Sequence, residues 1–323
     1  GDGQWLSQGD IEATIHSDYR HQGEMIAGGS LALSADGRLT NDGRMDAVSA
    51  TIDAESVENR NGSEITAGQL DLDARDRLEN HGLIDGEYVT LRATDVINHP
   101  DARLYGNDLS VTAATLRNLG DETKAATLAA RDQMRLAIDE LENRNDALIL
   151  SAGDMAISGR EGDPASLLFN RGATIEALGA LAIEAERIEN RNDGLVTTQV
   201  DEAPVQESWI QLRGSQRSFD AADCSNLYHE NVWCQGYPHE ISAFTWFRAT
   251  ALPSHTEVVE SQPATIRAGD DITLVGNALV NSDSLVVAGG ELKANLGQLD
   301  NHATQGQNIT RRNGTARFTT VES

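Results

Sequence analysis

The sequence predicts an all-β chain: a right-handed parallel β-helix, a solenoid of coils of about 20 residues, interrupted by one non-repeat insertion. Three observations predict it. A Leu-x-Asn signal recurs at near-constant spacing, apolar and polar residues alternate with period two inside each unit, and the core-forming residues are small aliphatics with few rings.

The repeat comes first, because its period fixes everything downstream. Its clearest copies are Leu39-Thr-Asn41, Val57-Glu-Asn59, Leu78-Glu-Asn80, Leu116-Arg-Asn118, Leu141-Glu-Asn143, Ile188-Glu-Asn190, Leu279-Val-Asn281 and Leu299-Asp-Asn301. Asn98 and Asn170 fill the same slot with altered neighbours, and His21 takes it once. From 21 to 118 the steps are 20, 18, 21, 18 and 20 residues; they loosen to 25 and 27 and return to 20 at Asn190 and at Asn301. Within the units, Leu31-Ala-Leu33, Leu70-Asp-Leu72 and Leu181-Ala-Ile183 alternate as strands do. A unit this small cannot bury its own apolar face, so it must stack on its neighbours, about 4.8 Å away for hydrogen-bonded strands.

In such a stack the ten slot asparagines become a structural ladder of side-chain amides at one turn, where Asn also tolerates a left-handed backbone. A row of ligand-binding amides is the rival reading and the weaker one. The Ala-Gly pairs at 27–28, 67–68, 152–153, 268–269 and 288–289 lack the continuation of a phosphate-binding loop and read as corners. Residues 121–142 are rich in helix formers, yet Met134-x-Leu136-x-Ile138 alternates. They read as an overlong coil with room for one helical turn at a corner.

The rhythm fails between Asn190 and Asn281, and composition changes with it. Residues 198–263 hold both cysteines, 8 of the 14 aromatics and 4 of the 6 prolines. The expected organisation is therefore repeats over 1–197, an aromatic and Cys-containing insertion over 198–263, repeats resumed over 264–310, and a C-terminal tail over 311–323. Insertions on repeat arrays commonly carry the binding face. The candidates for that role are Trp209, Tyr228, His229, Trp233 and Tyr237. Tyr228, Trp233 and Tyr237 are expected to be exposed beside the cysteine loop, and Trp246 to belong to a local core. Cys224 and Cys234 are expected to form a disulfide closing a short loop. A zinc site using both with His229 and His239 is the lesser alternative, since paired Cys-x-x-Cys spacing is missing.

Composition bounds the function. In 323 residues, 51 acidic side chains face 25 basic ones, a net charge of −26. That field repels nucleic acid and anionic membrane surfaces. No apolar run approaches the roughly 18 residues that span a bilayer, so no membrane insertion by this chain is expected. The start, Gly1-Asp-Gly-Gln-Trp5, reads as that of an excised piece and not as a signal peptide. No cofactor and no metal are expected.

The signal Leu-x-Asn-x-Gly-x-Ile-x-Ala-Gly-x-Leu-x-Leu, carried at Leu78-Glu-Asn80-His-Gly82 and from Asn281 through Ala288-Gly289 to Leu292, resembles the repeats of the filamentous hemagglutinin family. These are large surface proteins of Gram-negative bacteria exported by two-partner secretion. Trp246-Phe-Arg248-Ala-Thr250 and the stretch from Glu257 to Gly269 look like the re-entry into repeats seen in that family. The resemblance implies a secreted, cell-surface stalk and an outer-membrane two-partner secretion transporter as export partner. By analogy with contact-dependent growth inhibition effectors, it also implies a receptor-binding region for an outer-membrane protein or surface glycan of a target cell. An adhesin that binds host or biofilm glycans is the second reading.

Parallel β-helices also include polysaccharide lyases and hydrolases, but fold alone is weak evidence of chemistry. Acidic residues are spread over nearly every coil, only Lys124 and Lys293 are lysines, and no Gly-x-Ser-x-Gly elbow frames Ser208 toward His229 and Asp220. The chain is expected to be non-catalytic, with no catalytic residues.

Overall fold

The period-two alternation of Leu, Ile, Val and Ala produces strands almost throughout. The computed structural model describes residues 3–229 and 231–319. Among them the helical pieces are two three-residue 3-10 turns, Arg160–Gly162 and Ala221–Asp223. The chain divides into two compact units, Gly1–Leu195 with Ser261–Thr304, and Val196–Glu260 with Gln305–Ser323.

The first unit is a parallel β-solenoid in which each coil pairs with the next in the register the repeat dictates. Its core runs as columns of identical slots. Leu33 opposes Ile52, Ile52 opposes Leu72, and the column continues through Leu91, Val111, Leu136, Ile157, Ile183 and Leu274. All of these are buried. Each coil thereby covers the apolar face that its neighbour cannot bury alone. The loosened spacing does not disturb the columns, because Asn118 still opposes Asn143 and Asn143 opposes Asn170. The extra residues are extruded between strands.

One of those extrusions corrects an expectation. No helical turn forms in 121–142. Residues Asp121 to Lys124 make a tight turn in which Asp121 Oδ1 accepts from the backbone of Thr123 and Lys124 at 2.8 Å, and the strand Thr127–Arg144 follows. Helix-forming composition loses here to the column register, which needs Leu128, Met134, Leu136, Ile138 and Leu141 inward.

The slot asparagines form a continuous ladder. Nδ2 of Asn41, Asn59, Asn80, Asn98, Asn118, Asn143, Asn170, Asn190 and Asn281 each donates to Oδ1 of the next at 2.8–2.9 Å. Most of these amides also donate to a backbone carbonyl of the following coil, as Asn98 does to Thr127 at 3.1 Å. Asn41 through Asn190 are fully buried, Asn281 nearly so, and Asn301 closes the row exposed. His21 keeps only the carbonyl bond, its Nε2 lying 3.2 Å from Arg44 O. None of these asparagines has positive φ; left-handed residues are elsewhere, at Asp101, Asn145, Asp146, Glu161, Asn226 and Asp283. Asn is therefore required here for its paired donor and acceptor, not for its backbone freedom.

The corner glycines have a steric reason. A Cβ on Gly269 would meet the carbonyl oxygen of Leu178, and one on Gly289 the carbonyl oxygen of Gly269. Successive coils approach too closely there for any side chain.

The interruption leaves the solenoid register intact. Asn190 opposes Asn281 although 91 residues separate them. Asn192 marks the exit and the return: its Nδ2 donates to Ser261 Oγ at 2.8 Å and its Oδ1 accepts from Gln262 N at 3.0 Å.

The second unit is built on a five-stranded sheet centred on the long strand Phe244–Gln262, which pairs antiparallel with Val205–Leu212 and with Asn308–Thr319. The stretch expected as a C-terminal tail, 311–323, is thus a sheet strand as far as Thr319; residues 320–323 lie outside the described residues. Ile309, Thr310, Thr315, Phe318 and Thr319 are residue types that suit a strand, and Phe244–Gln262 supplies an edge for it. The repeats accordingly leave the solenoid at Thr304, not at 310.

Candidate functional site

Pairing in the second unit decides which side chains share a face. Ile210 opposes Trp246 and Leu212 opposes Phe244, while Trp209 opposes Phe247 on the other side. The first face is covered by the segment 221–243, forming a small core of Ile210, Val232, Cys234, Ile241, Phe244 and Trp246. Trp246 is buried as expected, and its indole Nε1 donates to Ser208 Oγ at 2.8 Å, so its burial strands no donor.

Cys224 and Cys234 oppose each other on the short antiparallel strands Cys224–Ser225 and Trp233–Cys234, and are joined by a disulfide with Cα atoms 4.1 Å apart. With both sulfurs so used, the alternative zinc set of two thiolates with His229 and His239 is removed. The disulfide closes a hairpin loop turned by Asn226, in the left-handed region at φ 64°, with His229 N donating to Asn226 O at 2.8 Å.

The five predicted binding candidates do not form one cluster. Tyr228, 71% exposed, and Trp233, 48% exposed, are carried by the hairpin, and His229 is exposed beside Tyr228. Tyr228 sets its ring edge-on against Trp246, 5.1 Å between centroids, so this exposed ring is seated on the local core. Tyr237 departs from the expectation of exposure. It is half-buried, edge-on to Phe219 at 5.6 Å and beneath the Arg217 guanidinium at 4.9 Å. Trp209 is half-buried on the opposite face, stacked on Phe247 at 5.0 Å.

The sequence reading missed the cations that serve these rings. Arg248 lies 4.9 Å over Trp246, two residues along the same strand face, and Arg217 lies over both Phe219 and Tyr237. The Trp246-x-Arg248 spacing carried that signal, since residues two apart in a strand share a face, whereas Arg217 lies just ahead of the strand Ser218–Asp220. Glu207 was also missed: Arg312 grips it at 2.6 and 3.2 Å, and this hydrogen-bonded pairing holds its carboxyl below the usual range.

Along the first unit, many acidic groups are paired with arginine. Glu58 meets Arg60, Glu142 meets Arg144 and Glu189 meets Arg191, each pair flanking a ladder asparagine. These carboxylates are engaged in a repeated surface lattice of ion pairs.

The haemagglutinin repeat model matches the chain four times, over residues 2–47, 45–82, 88–202 and 246–316, which is most of its length. The chain belongs to the haemagglutinin repeat family. Its repeat fold and the secreted, cell-surface setting of that family agree, and no helix among the described residues is long and apolar enough to cross a membrane. No curated protein and no solved structure matches this haemagglutinin-repeat chain. The family's stalks are adhesin-like and typically non-enzymatic.

Proposed function

We propose that this haemagglutinin-repeat protein is a non-catalytic stalk that binds a receptor on a target cell, as a contact-dependent growth inhibition effector does, and that the disulfide-closed hairpin is its contact element. One observation carries the reading. Tyr228 and Trp233, the ring types most often found as interface hot spots, are held exposed on a hairpin fixed by a disulfide and by the Trp246 core, while the solenoid keeps its rings few. Large side chains whose motion is already restricted lose little entropy on binding. The partner on this reading is an outer-membrane protein or surface glycan of the recipient, and a two-partner secretion transporter delivers the stalk to the cell surface.

The test removes the second unit. A chain joining Leu195 to Ser261 and ending at Thr304 keeps every ladder asparagine, and Asn192 already bridges to Ser261 and Gln262. Intact and shortened proteins are labelled and measured on susceptible cells. Binding by the intact chain alone supports the reading; equal binding by both, with the shortened solenoid folded by circular dichroism, overturns it.

A further inference from the structure

The position after the ladder asparagine points outward, and on two adjacent coils it carries histidine. Asn80 opposes Asn98, so His81 and His99 occupy equivalent places, with rings stacked at 3.8 Å and 10° apart. Glu79, the residue before Asn80, shares their side of the coil. Its Oε2 lies 3.8 Å from His81 Nε2 and 3.9 Å from His99 Nε2, and the ligand-capable atoms of all three fall within 4.8 Å of one another. Backbone bonds fix the two turns: His81 N donates to Asn59 O at 2.7 Å and His99 N to Asn80 O at 2.9 Å.

A second feature singles this cluster out. His99 Nε2 is buried and has no hydrogen-bond partner, and it is the side-chain polar atom so stranded among the described residues. Native proteins rarely leave such an atom unpaired without a ligand to meet it. The neighbouring charged pairs in the same slots, such as Glu58 with Arg60, leave no such atom.

We propose that Glu79, His81 and His99 form a binding site for a divalent transition-metal ion of the Zn²⁺ class. Two imidazoles and a carboxylate are the donor set such borderline ions take, and solvent from the adjoining groove beside Asn61, Ser63, Glu64 and Asp101 fills the open positions. Tetrahedral bonds of about 2.0–2.1 Å place neighbouring donors roughly 3.3 Å apart, so the two Glu79–histidine separations must close by about half an ångström and the two imidazole nitrogens must come to the same spacing. The two rings must also splay out of their stack, because an ion bonds in the plane of each imidazole. Both rings and the carboxylate are partly exposed and turn about single bonds, so neither movement disturbs the ladder. Arg77 reaches the other carboxylate oxygen of Glu79 at 3.5 Å and Asp95 at 3.5 Å, which leaves Oε2 for the ion. Burial lowers the His99 pKa, as does the neighbouring His81, against the opposing effect of Glu79.

The experiment is calorimetric titration of Zn²⁺ into the intact chain without a histidine tag, compared with His99→Gln, His81→Gln, Glu79→Gln and, as control, His302→Gln on another coil. The expected result is one saturable site in the intact chain. Each of the three site variants should weaken it by about 100-fold or more, with His302→Gln unchanged, since even outer-shell changes at metal sites cost about 10–100-fold. Co²⁺ in place of Zn²⁺ should give a visible absorption band that is lost in the same variants. Glu79→Gln changes a surface side chain and keeps the test valid if His99→Gln fails to fold. Absence of a saturable site in the folded chain, or equal weakening by His302→Gln, overturns the proposal.

Discussion

Replacing Asn98 by alanine in the middle of the ladder has a cost that can be worked from its bonds. Asn98 accepts from Asn80 Nδ2 at 2.9 Å and donates to Asn118 Oδ1 at 2.9 Å and to Thr127 O at 3.1 Å. Its loss leaves one N–H of Asn80 and the acceptor of Asn118 without partners in a buried row, whereas Asn80 keeps its bond to Arg103 O. Two stranded buried groups at about 1–3 kcal/mol each give a destabilisation of about 2–6 kcal/mol. Asn301→Ala, at the exposed end, frees one N–H of Asn281 beside solvent, leaves that amide its bond to Ser284 O at 3.0 Å and strands no buried acceptor; it should cost less than about 1 kcal/mol. Urea unfolding followed by circular dichroism measures both variants. Long arrays can unfold piecewise, so hydrogen exchange over the flanking coils is read alongside. Equal costs for Asn98→Ala and Asn301→Ala would refute a ladder held by amide bonding.

His21 gives a pH-dependent contrast. Burial lowers its folded-state pKa, so its stabilising share is present above the unfolded value of about 6.5 and is lost as pH falls below it and through the folded value. The melting midpoint should therefore drop between pH 7 and pH 5, and drop less in His21→Asn, which also offers Asn41 the missing amide; an unchanged pH dependence would count against this. Gly269→Ala forces a methyl onto the Leu178 carbonyl and should lower stability by more than about 1 kcal/mol, read as a reduced urea midpoint. Reducing the Cys224–Cys234 bond should destabilise the hairpin by about 2–3 kcal/mol on the loop-closure estimate, seen as faster exchange over 224–234 with the solenoid coils unaffected.

The solenoid was legible because every coil must present the same residue to the same column, so Leu33, Ile52 and Leu72 repeat the message. Redundancy of that kind overrode the helix-forming composition of 121–142. The second unit has no repeat, and its legibility was correspondingly local. Adjacent chemistry such as Cys224 with Cys234 could be paired by eye, but the strand Asn308–Thr319 joins Phe244–Gln262 across more than fifty residues, and no local pattern reveals the partner. The same gap explains Tyr237, whose burial depends on Phe219 and Arg217 arriving from a separate segment. His81 and His99 were hidden differently. They sit in ordinary outward slots, and only the stacking of Asn80 on Asn98 brings them together.

The most direct test of the proposed role is the affinity of the intact chain for recipient cells, compared with a Tyr228→Ala, Trp233→Ala double variant that leaves the disulfide in place. Truncating two hot-spot rings should weaken binding by about 30-fold or more, corresponding to at least about 2 kcal/mol. Unchanged affinity in a variant that retains its disulfide and its circular dichroism spectrum would contradict the assignment of the hairpin as the receptor-contact element.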